Sequence, residues 1–289
     1  MLLKKIGFIG LGLMGFPMAK HLLDAGYDVF TTGHSNSKEA VERIDTFKSI
    51  GGKVSLNIID VVKDVDIIIS ILPTDKEVRE VFLDTEMLSA ISKETVIIEM
   101  TSCSSSTILD VEDYYSEKGI SILDAPVSGG VIGAQNGTLT IYGSGDEIVF
   151  ERVKDVFNSF ATNIYYIGSL GTGKALKSIN QMMNAINTMA TIEGLIIAKE
   201  QGINLDIMYE VIKQSSGKSN AFENKFYKII NQDYKPGFKL SLMRKDIKIA
   251  LDSAKNDLLP LTKLTYDLFL EGEEFDDLDY TSVNKLYNK

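Results

Sequence analysis

Within the first fifteen residues an apolar run, Lys5-Ile6-Gly7-Phe8-Ile9, breaks into Gly10-Leu11-Gly12-Leu13-Met14-Gly15. Pro17 then opens a helical stretch that reaches Ala25 and stops at Gly26. A G-x-G-x-x-G turn between a strand and a helix constrains the fold more than any other feature of this chain. Gly10 permits the tight turn, Gly12 leaves room for a pyrophosphate, and Gly15 lets helix and strand pack closely. Leu11, Leu13 and Met14 complete the loop, and the helix N-terminus offers N–H groups and partial positive charge to phosphates. The alternative, a glycine-rich structural turn, does not require this spacing in this context.

The second strand, Tyr27 to Thr32, ends in Gly33-His34-Ser35-Asn36, and no acid follows before Glu39. A site that prefers NAD usually places Asp or Glu there to bond the ribose 2′-hydroxyl. Gly33 removes the carboxylate that would repel a 2′-phosphate, while His34, Ser35 and Asn36 could donate to one and Lys38 could add charge. The cofactor reading is therefore NADP, with NAD possible; a solvated loop with a loose preference is the competing reading.

The pattern then alternates. Residues 37–49 are helical, Asp66 to Leu72 is an apolar strand ended by Pro73, and Thr95 to Met100 is another. Thr101-Ser102 and the run Ser104-Ser105-Ser106 follow, able to cap a helix. Ile120 to Ala125 is a further strand, and Leu139 to Tyr142 and Asn163 to Ile167 look like the last two. Strands alternating with helices predict a doubly wound parallel sheet. Ligands bind such sheets at the carboxyl ends of strands, where Leu72, Pro73, Ser102 and the segment after Ala125 all stand. That segment, Pro126-Val127-Ser128-Gly129-Gly130, offers a hydroxyl and two glycines whose N–H groups could approach a carboxylate. An ordinary loop turning at two glycines reads equally well.

After Gly168 the strand patterns vanish and helical ones cover 172–201, 206–214, 219–231, 240–257 and 261–271. The predicted organisation is a sheet domain over 1–165 and an all-helical domain over 166–289, joined by a long helix. On that helix Lys177, Asn180, Gln181, Asn184, Asn187, Thr188 and Thr191 fall on one stripe, with apolar side chains on the other faces. Apolar character around most of a helix predicts burial in the core. A buried lysine is costly unless something charged or wet faces it. The stripe reads as a cavity wall, with Lys177 and Asn180 one turn apart; a solvent face would normally carry mixed Glu and Lys instead.

Composition narrows the function classes. With a net charge of −10, a nucleic-acid backbone or an anionic membrane surface is a poor partner. Cys103 is the only cysteine, so no intrachain disulfide forms and a reducing, cytoplasmic setting fits. Two histidines, His21 and His34, and one cysteine argue against a transition-metal site. No apolar run reaches the roughly 18 residues of a membrane span, and the N-terminus does not read as a signal peptide.

Four blocks in order resemble the β-hydroxyacid dehydrogenase family over nearly the whole chain. They are Gly7 to Gly15, Asp124 to Gly130, Gly171 to Gln181 and Gly237 to Asp246. The resemblance implies that Lys177 is the catalytic lysine and that Ser128, Gly129, Gly130 and Asn180 hold the substrate carboxylate and carbonyl. It implies that Ser102 touches nicotinamide and substrate. It also implies that Phe238, Lys245 and Asp246 close the site from the helical domain, with Lys245 near the cofactor. From the residues alone, Lys245-Asp246 reads as an ordinary surface charge pair. The chain departs from the family in having Glu99-Met100-Thr101-Ser102 for Asp-Met-Ser-Thr, and Asn180-Gln181 for Asn-Asn. It also has Gly33-His34-Ser35 where NADP-preferring members often have Asn-Arg-Ser/Thr.

The expected function is oxidoreduction between a small hydroxy acid and its aldehyde acid, with Lys177 giving or taking the proton. The expected partners are that small anionic substrate and further copies of the chain, as a homodimer or homotetramer. An imine reductase of the same architecture is the rival enzyme, although those generally lack the lysine. A non-catalytic nucleotide-binding protein is the rival outside catalysis, and it has no reason to keep Lys177, Asn180 and Ser128 together.

Overall fold

The computed structural model describes residues 4–33, 37–255 and 258–287. The chain divides into two compact units, residues 1–177 and 178–289.

The first unit begins β1 (Lys5–Ile9), α1 (Gly15–Asp24), β2 (Asp28–Thr32), α2 (Lys38–Ser49), β3 (Lys53–Ser55), α3 (Ile58–Val62) and β4 (Ile67–Ser70). It continues with α4 (Asp75–Phe82), α5 (Thr85–Ala90), β5 (Val96–Glu99), α6 (Ser105–Tyr115), β6 (Ser121–Asp124), β7 (Val127–Ser128) and α7 (Gly130–Asn136). It ends with β8 (Leu139–Gly145), α8 (Glu147–Asn158), β9 (Ala161–Gly168) and the first residues of α9 (Thr172–Glu200). The sheet order is β3-β2-β1-β4-β5-β6-β8-β7, with β9 paired to β8. Pairing is parallel from β3 through β6, whereas β8 runs antiparallel to both β6 and β7. The strand order reverses direction between β1 and β4, the switch point at which such sheets bind ligands.

The period-2 alternation of strand side chains builds a core on each face. Ile67, Ile69, Val96 and Ile98 join Met18 and Leu22 of α1 and Phe150 and Phe157 of α8 in one cluster. Ile68 and Ile97 point the other way, into a cluster with Val78, Phe82, Ile108 and Tyr115. Strands buried on both faces read as continuous apolar runs, which is why β4 and β5 are visible in the sequence. The three-residue β3 and two-residue β7 carry no such run and escape sequence reading. Ser104 caps α6 as the serine run predicts, its hydroxyl accepting from the Thr107 N–H at 3.3 Å.

The second unit holds the rest of α9 with α10 (Leu205–Ile212), α11 (Asn220–Ile230), α12 (Leu240–Ser253) and α13 (Pro260–Glu271), then short 3-10 turns. Its core gathers Ile192, Leu195, Phe226, Met243, Ile247 and Phe269. The helix expected over 240–257 stops at Ser253, because Ala254 turns extended at φ −79° and ψ 127°.

The burial of α9 follows the sequence expectation in part, with Ala185, Met189 and Ile192 buried. Ile179, Met183 and Ile197 are 47%, 55% and 59% exposed, while Lys177, Gln181, Thr188 and Thr191 are buried. Of the buried polar groups, the two threonines bond back to their own helix and Gln181 reaches another. Thr188 and Thr191 donate to the carbonyls of Asn184 and Asn187 at 2.9 and 2.8 Å, and Gln181 donates to Asp246 at 2.8 Å.

The glycine loop shows why packing selects glycine. Gly10 has φ +105°, and a Cβ on it would stand 2.2 Å from the Ile71 carbonyl oxygen. A Cβ on Gly15 would stand 1.9 Å from the Gly10 carbonyl oxygen and 3.0 Å from Ile71 Cγ2. Gly15→Ala should therefore force α1 off β1 and lower stability by about 1–3 kcal/mol, the usual cost of overpacking. Thermal unfolding checks this, and an unchanged Tm would contradict the packing described.

Candidate active site

The mouth of the first unit is built on the loop after β1. Unlike Gly10 and Gly15, Gly12 has open space where a Cβ would be. No side chain caps α1 and its first turn has no acid. The Phe16 N–H donates to the Gly12 carbonyl at 3.0 Å and Pro17 has none, so an anion there would meet the loop N–H groups ahead of Phe16 and the partial positive charge of the helix end. A cavity of about 330 Å³ opens beside this loop, bounded in part by Gly12, Leu13, Lys20, His21, Arg43 and Gln135. An open glycine, an uncapped helix N-terminus and adjoining space fit a dinucleotide's phosphates. Gly33 follows β2 and has no side chain, whereas His34 and Ser35 lie outside the described residues. The Leu72 N–H donates to Thr101 Oγ1 at 2.8 Å, which ties the Leu72-Pro73 segment to the turn holding Ser102.

A buried polar network fixes the start of α9 against the carboxyl ends of β5 and β6. Asp124 Oδ1 accepts from the Gly171 N–H at 2.8 Å and Oδ2 from the Lys174 N–H at 2.8 Å. Ser144 Oγ donates to Asp124 and accepts from the Gly173 N–H at 3.0 Å. The Lys174 ammonium pairs with Glu99 Oε2 and donates to the carbonyls of Glu99 and Thr101 at 3.0 and 2.6 Å. Glu99 Oε1 in turn accepts from the Thr101 N–H at 2.9 Å. Ser105 Oγ donates to the Gly171 carbonyl at 2.7 Å. Gly173 is required here, since a Cβ would lie 2.2 Å from the Tyr142 carbonyl oxygen.

Both side chains of the Lys174–Glu99 pair are 0% exposed. Burial is the largest influence on Lys174 and works to lower its pKa, but Cys103, Glu99 and Asp124 together hold it above the ordinary lysine value. Lys174 is thus held as an ammonium. Sequence reading passed over this lysine because Lys177, three residues on, occupies the polar stripe. The available signal was a lysine directly after the Gly-Thr-Gly of a helix start.

Lys177 follows this anchored turn and is 7% exposed. Ser102 lies three residues beyond Glu99 and Ser128 four beyond Asp124, so each strand end in the network leads directly to a candidate site residue. Ser128 pairs with Thr140 across β7 and β8. Gly129 and Gly130 follow with φ +125° and +61°, a backbone that favours glycine, and space is open at the Gly130 Cβ position.

In the second unit, Asn180 Nδ2 donates to Gln181 Oε1 at 3.2 Å. Asp246 is 1% exposed, accepts from Gln181 at 2.8 Å and lies 3.1 Å from the Lys245 ammonium. The surface-pair reading of Lys245-Asp246 is thereby overturned: Asp246 faces inward on α12, where Gln181 satisfies one of its oxygens. The N–H groups of Gly237 and Phe238 donate to the buried Asp279 at 3.1 and 3.3 Å, and the Phe238 ring meets Tyr280 edge-on.

Residues 5–168 match the NAD binding domain of 6-phosphogluconate dehydrogenase. Residues 171–287 match the NAD-binding family of NADP-dependent 3-hydroxyisobutyrate dehydrogenase. The chain belongs to the β-hydroxyacid dehydrogenase family. It is 37% identical to the 2-(hydroxymethyl)glutarate dehydrogenase of Eubacterium barkeri, over 93% of this chain and 89% of that one. It is 36% identical to the 2-hydroxy-3-oxopropionate reductase of Escherichia coli strain K12, over 92% of this chain and 90% of that one. A structure of the Mycobacterium tuberculosis 3-hydroxyisobutyrate dehydrogenase with L-serine superposes with a TM-score of 0.88 at 29% identity, covering all of both chains. This member is an NAD(P)-dependent dehydrogenase that acts on a CH–OH group. Among the described residues, no helix is long and apolar enough to cross a membrane.

Removing one member of the buried ion pair strands the other. Glu99→Gln or Lys174→Met should each cost about 3–5 kcal/mol, while the double variant should cost less than their sum. Denaturant unfolding of all four proteins measures the coupling, and strictly additive losses would show that the pair does not act as one.

Proposed function

We propose that this dehydrogenase interconverts a small β-hydroxy acid and its semialdehyde, with NADP(H) the favoured cofactor and Lys177 moving the proton. The observation that carries the reading is a buried lysine one turn beyond a helix start held by Asp124, Glu99 and Thr101. Bound nicotinamide would supply or accept the hydride. As an ammonium, Lys177 gives its proton to the carbonyl oxygen in reduction; as an amine, it takes the hydroxyl proton in oxidation. Asn180, three residues on along the same helix, orients that oxygen without adding charge. Ser128 and the backbone of Gly129 and Gly130 hold the substrate carboxylate, and Ser102 meets both substrate and nicotinamide.

Gly10, Leu11, Gly12, Leu13, Met14 and Gly15 would cradle the pyrophosphate, with Leu72 and Pro73 beside the cofactor. The missing acid at Gly33 supports NADP; His34 and Ser35 are proposed to contribute there. Residues 1–165 are assigned to the dinucleotide and 166–289 to substrate and oligomer formation, with Phe238, Asp246 and Lys245 completing the sites. The exposed Ile179, Met183 and Ile197 of α9 support a homodimer or homotetramer that covers them. The single buried cysteine fits a cytoplasmic location. Relatives named for 2-(hydroxymethyl)glutarate and 2-hydroxy-3-oxopropionate support a small carboxylate-bearing substrate.

Lys177→Ala should lower kcat by about 10²–10⁴, the span for losing a general acid, with the Kd for NADPH unchanged. Lys177→Arg should not restore the rate, because guanidinium does not release its proton near neutral pH. Single-turnover hydride transfer and fluorescence titration in one preparation check both, and a wild-type rate in Lys177→Ala would place the acid elsewhere. A steady-state panel of glyoxylate and succinic, tartronate and methylmalonate semialdehydes should find turnover that is lost when the carboxylate becomes an amide. Equal turnover of the amide would remove the carboxylate pocket from the account.

A further inference from the structure

Arg43 stands on α2 and turns toward the glycine loop. Its Nε donates to the Leu11 carbonyl at 3.0 Å, so the guanidinium is fixed between Gly10 and Gly12. Among the described residues no carboxylate pairs with it. The other bases of the same cavity wall are engaged: Lys20 pairs with Asp24 at 2.6 Å, and His21 Nε2 lies 3.0 Å from the Gln135 carbonyl. Arg43 is thus the cation whose Nη edge remains available beside the loop.

The position of Gly33 adds a second, independent observation. A Cβ built on Gly33 would come within 3.4 Å of Ile44 Cγ1, and Ile44 follows Arg43 on α2. The turn of helix that carries Arg43 therefore packs against the end of β2. In dinucleotide folds the end of the second strand decides between the two cofactors: an acid there bonds the ribose 2′-hydroxyl, and an arginine nearby accommodates the 2′-phosphate. Here the strand end has no side chain and the arginine arrives from the following helix.

We propose that Arg43 binds the 2′-phosphate of NADP(H) and sets the cofactor preference. The Nε–Leu11 bond holds the planar fork, and the two Nη groups face the phosphate, a geometry that lysine cannot reproduce. The proposal rests on the NADP preference inferred above and identifies the residue responsible for it.

The test is calorimetric titration of the enzyme, without substrate, with NADPH, NADH and 2′,5′-ADP. Arg43→Gln should raise the Kd for NADPH and for 2′,5′-ADP by about 10- to 100-fold, the loss expected for charge-assisted hydrogen bonds, while moving NADH by less than about threefold. Arg43→Lys, which keeps the charge but not the fork, should fall between wild type and Arg43→Gln and covers the case in which the glutamine variant folds poorly. Equal weakening of NADPH and NADH would show that Arg43 only braces the loop through Leu11 and would overturn the proposal, as would unchanged 2′,5′-ADP binding. Tighter binding of NADH than NADPH by the wild type would overturn the cofactor preference alone, and the 2′,5′-ADP comparison would still decide the role of Arg43.

Discussion

The carboxylate of Asp124 joins the sheet to the helix that carries Lys177, the proposed proton donor. Its two oxygens accept the N–H groups of Gly171 and Lys174 at 2.8 Å each, at the start of α9. These are among the N–H groups that a helix cannot satisfy for itself, and a buried carboxylate meets both them and the partial positive charge of the helix end. The charge count closes locally: Glu99 answers the Lys174 ammonium, and Asp124 answers the helix end. The start of α9 consequently has one position relative to the ends of β5 and β6. Lys177, Ser102 and Ser128 each lie within four residues of a member of that arrangement.

The same unit handles the dinucleotide end by different means. There the loop stays open, with an uncapped helix, a glycine whose missing Cβ leaves space, and a guanidinium tethered by one bond. A chain of net charge −10 can still present a cationic mouth, because the field that a phosphate meets is set by groups within a Debye length of about 8 Å. Rigid polar anchoring beside Lys177 contrasts with the open space at the glycine loop.

Legibility in the sequence followed the strength of local constraint. The loop at Gly10, Gly12 and Gly15 was readable because only glycine fits two of those backbones and spacing alone reveals them. β4 and β5 were readable as apolar runs because both of their faces are buried. Lys177 was readable because a lone cation among Asn, Gln and Thr contradicts a solvent face. Lys174, Glu99 and Asp124 were not recognised as a network, since Lys174 lies 50 and 75 residues from its two partners. Asp246 misled for the same reason, its partner Gln181 being 65 residues away. The polarity of α9 was legible and its orientation only in part: Ala185, Met189 and Ile192 are buried as the pattern predicts, whereas Ile179 and Met183 of the same apolar set are exposed.

The most direct measurement of the central claim is amide hydrogen exchange at Gly171 and Lys174 in Asp124→Asn, taken alongside kcat. The substitution preserves shape and removes the charge that holds the helix start. We expect faster exchange at those two amides than in the wild type, a fall in kcat, and little change in the Kd for NADPH, whose proposed site is at the other end of the unit. Faster exchange with an undiminished kcat would contradict it, because Lys177 would then keep its working position without the anchor.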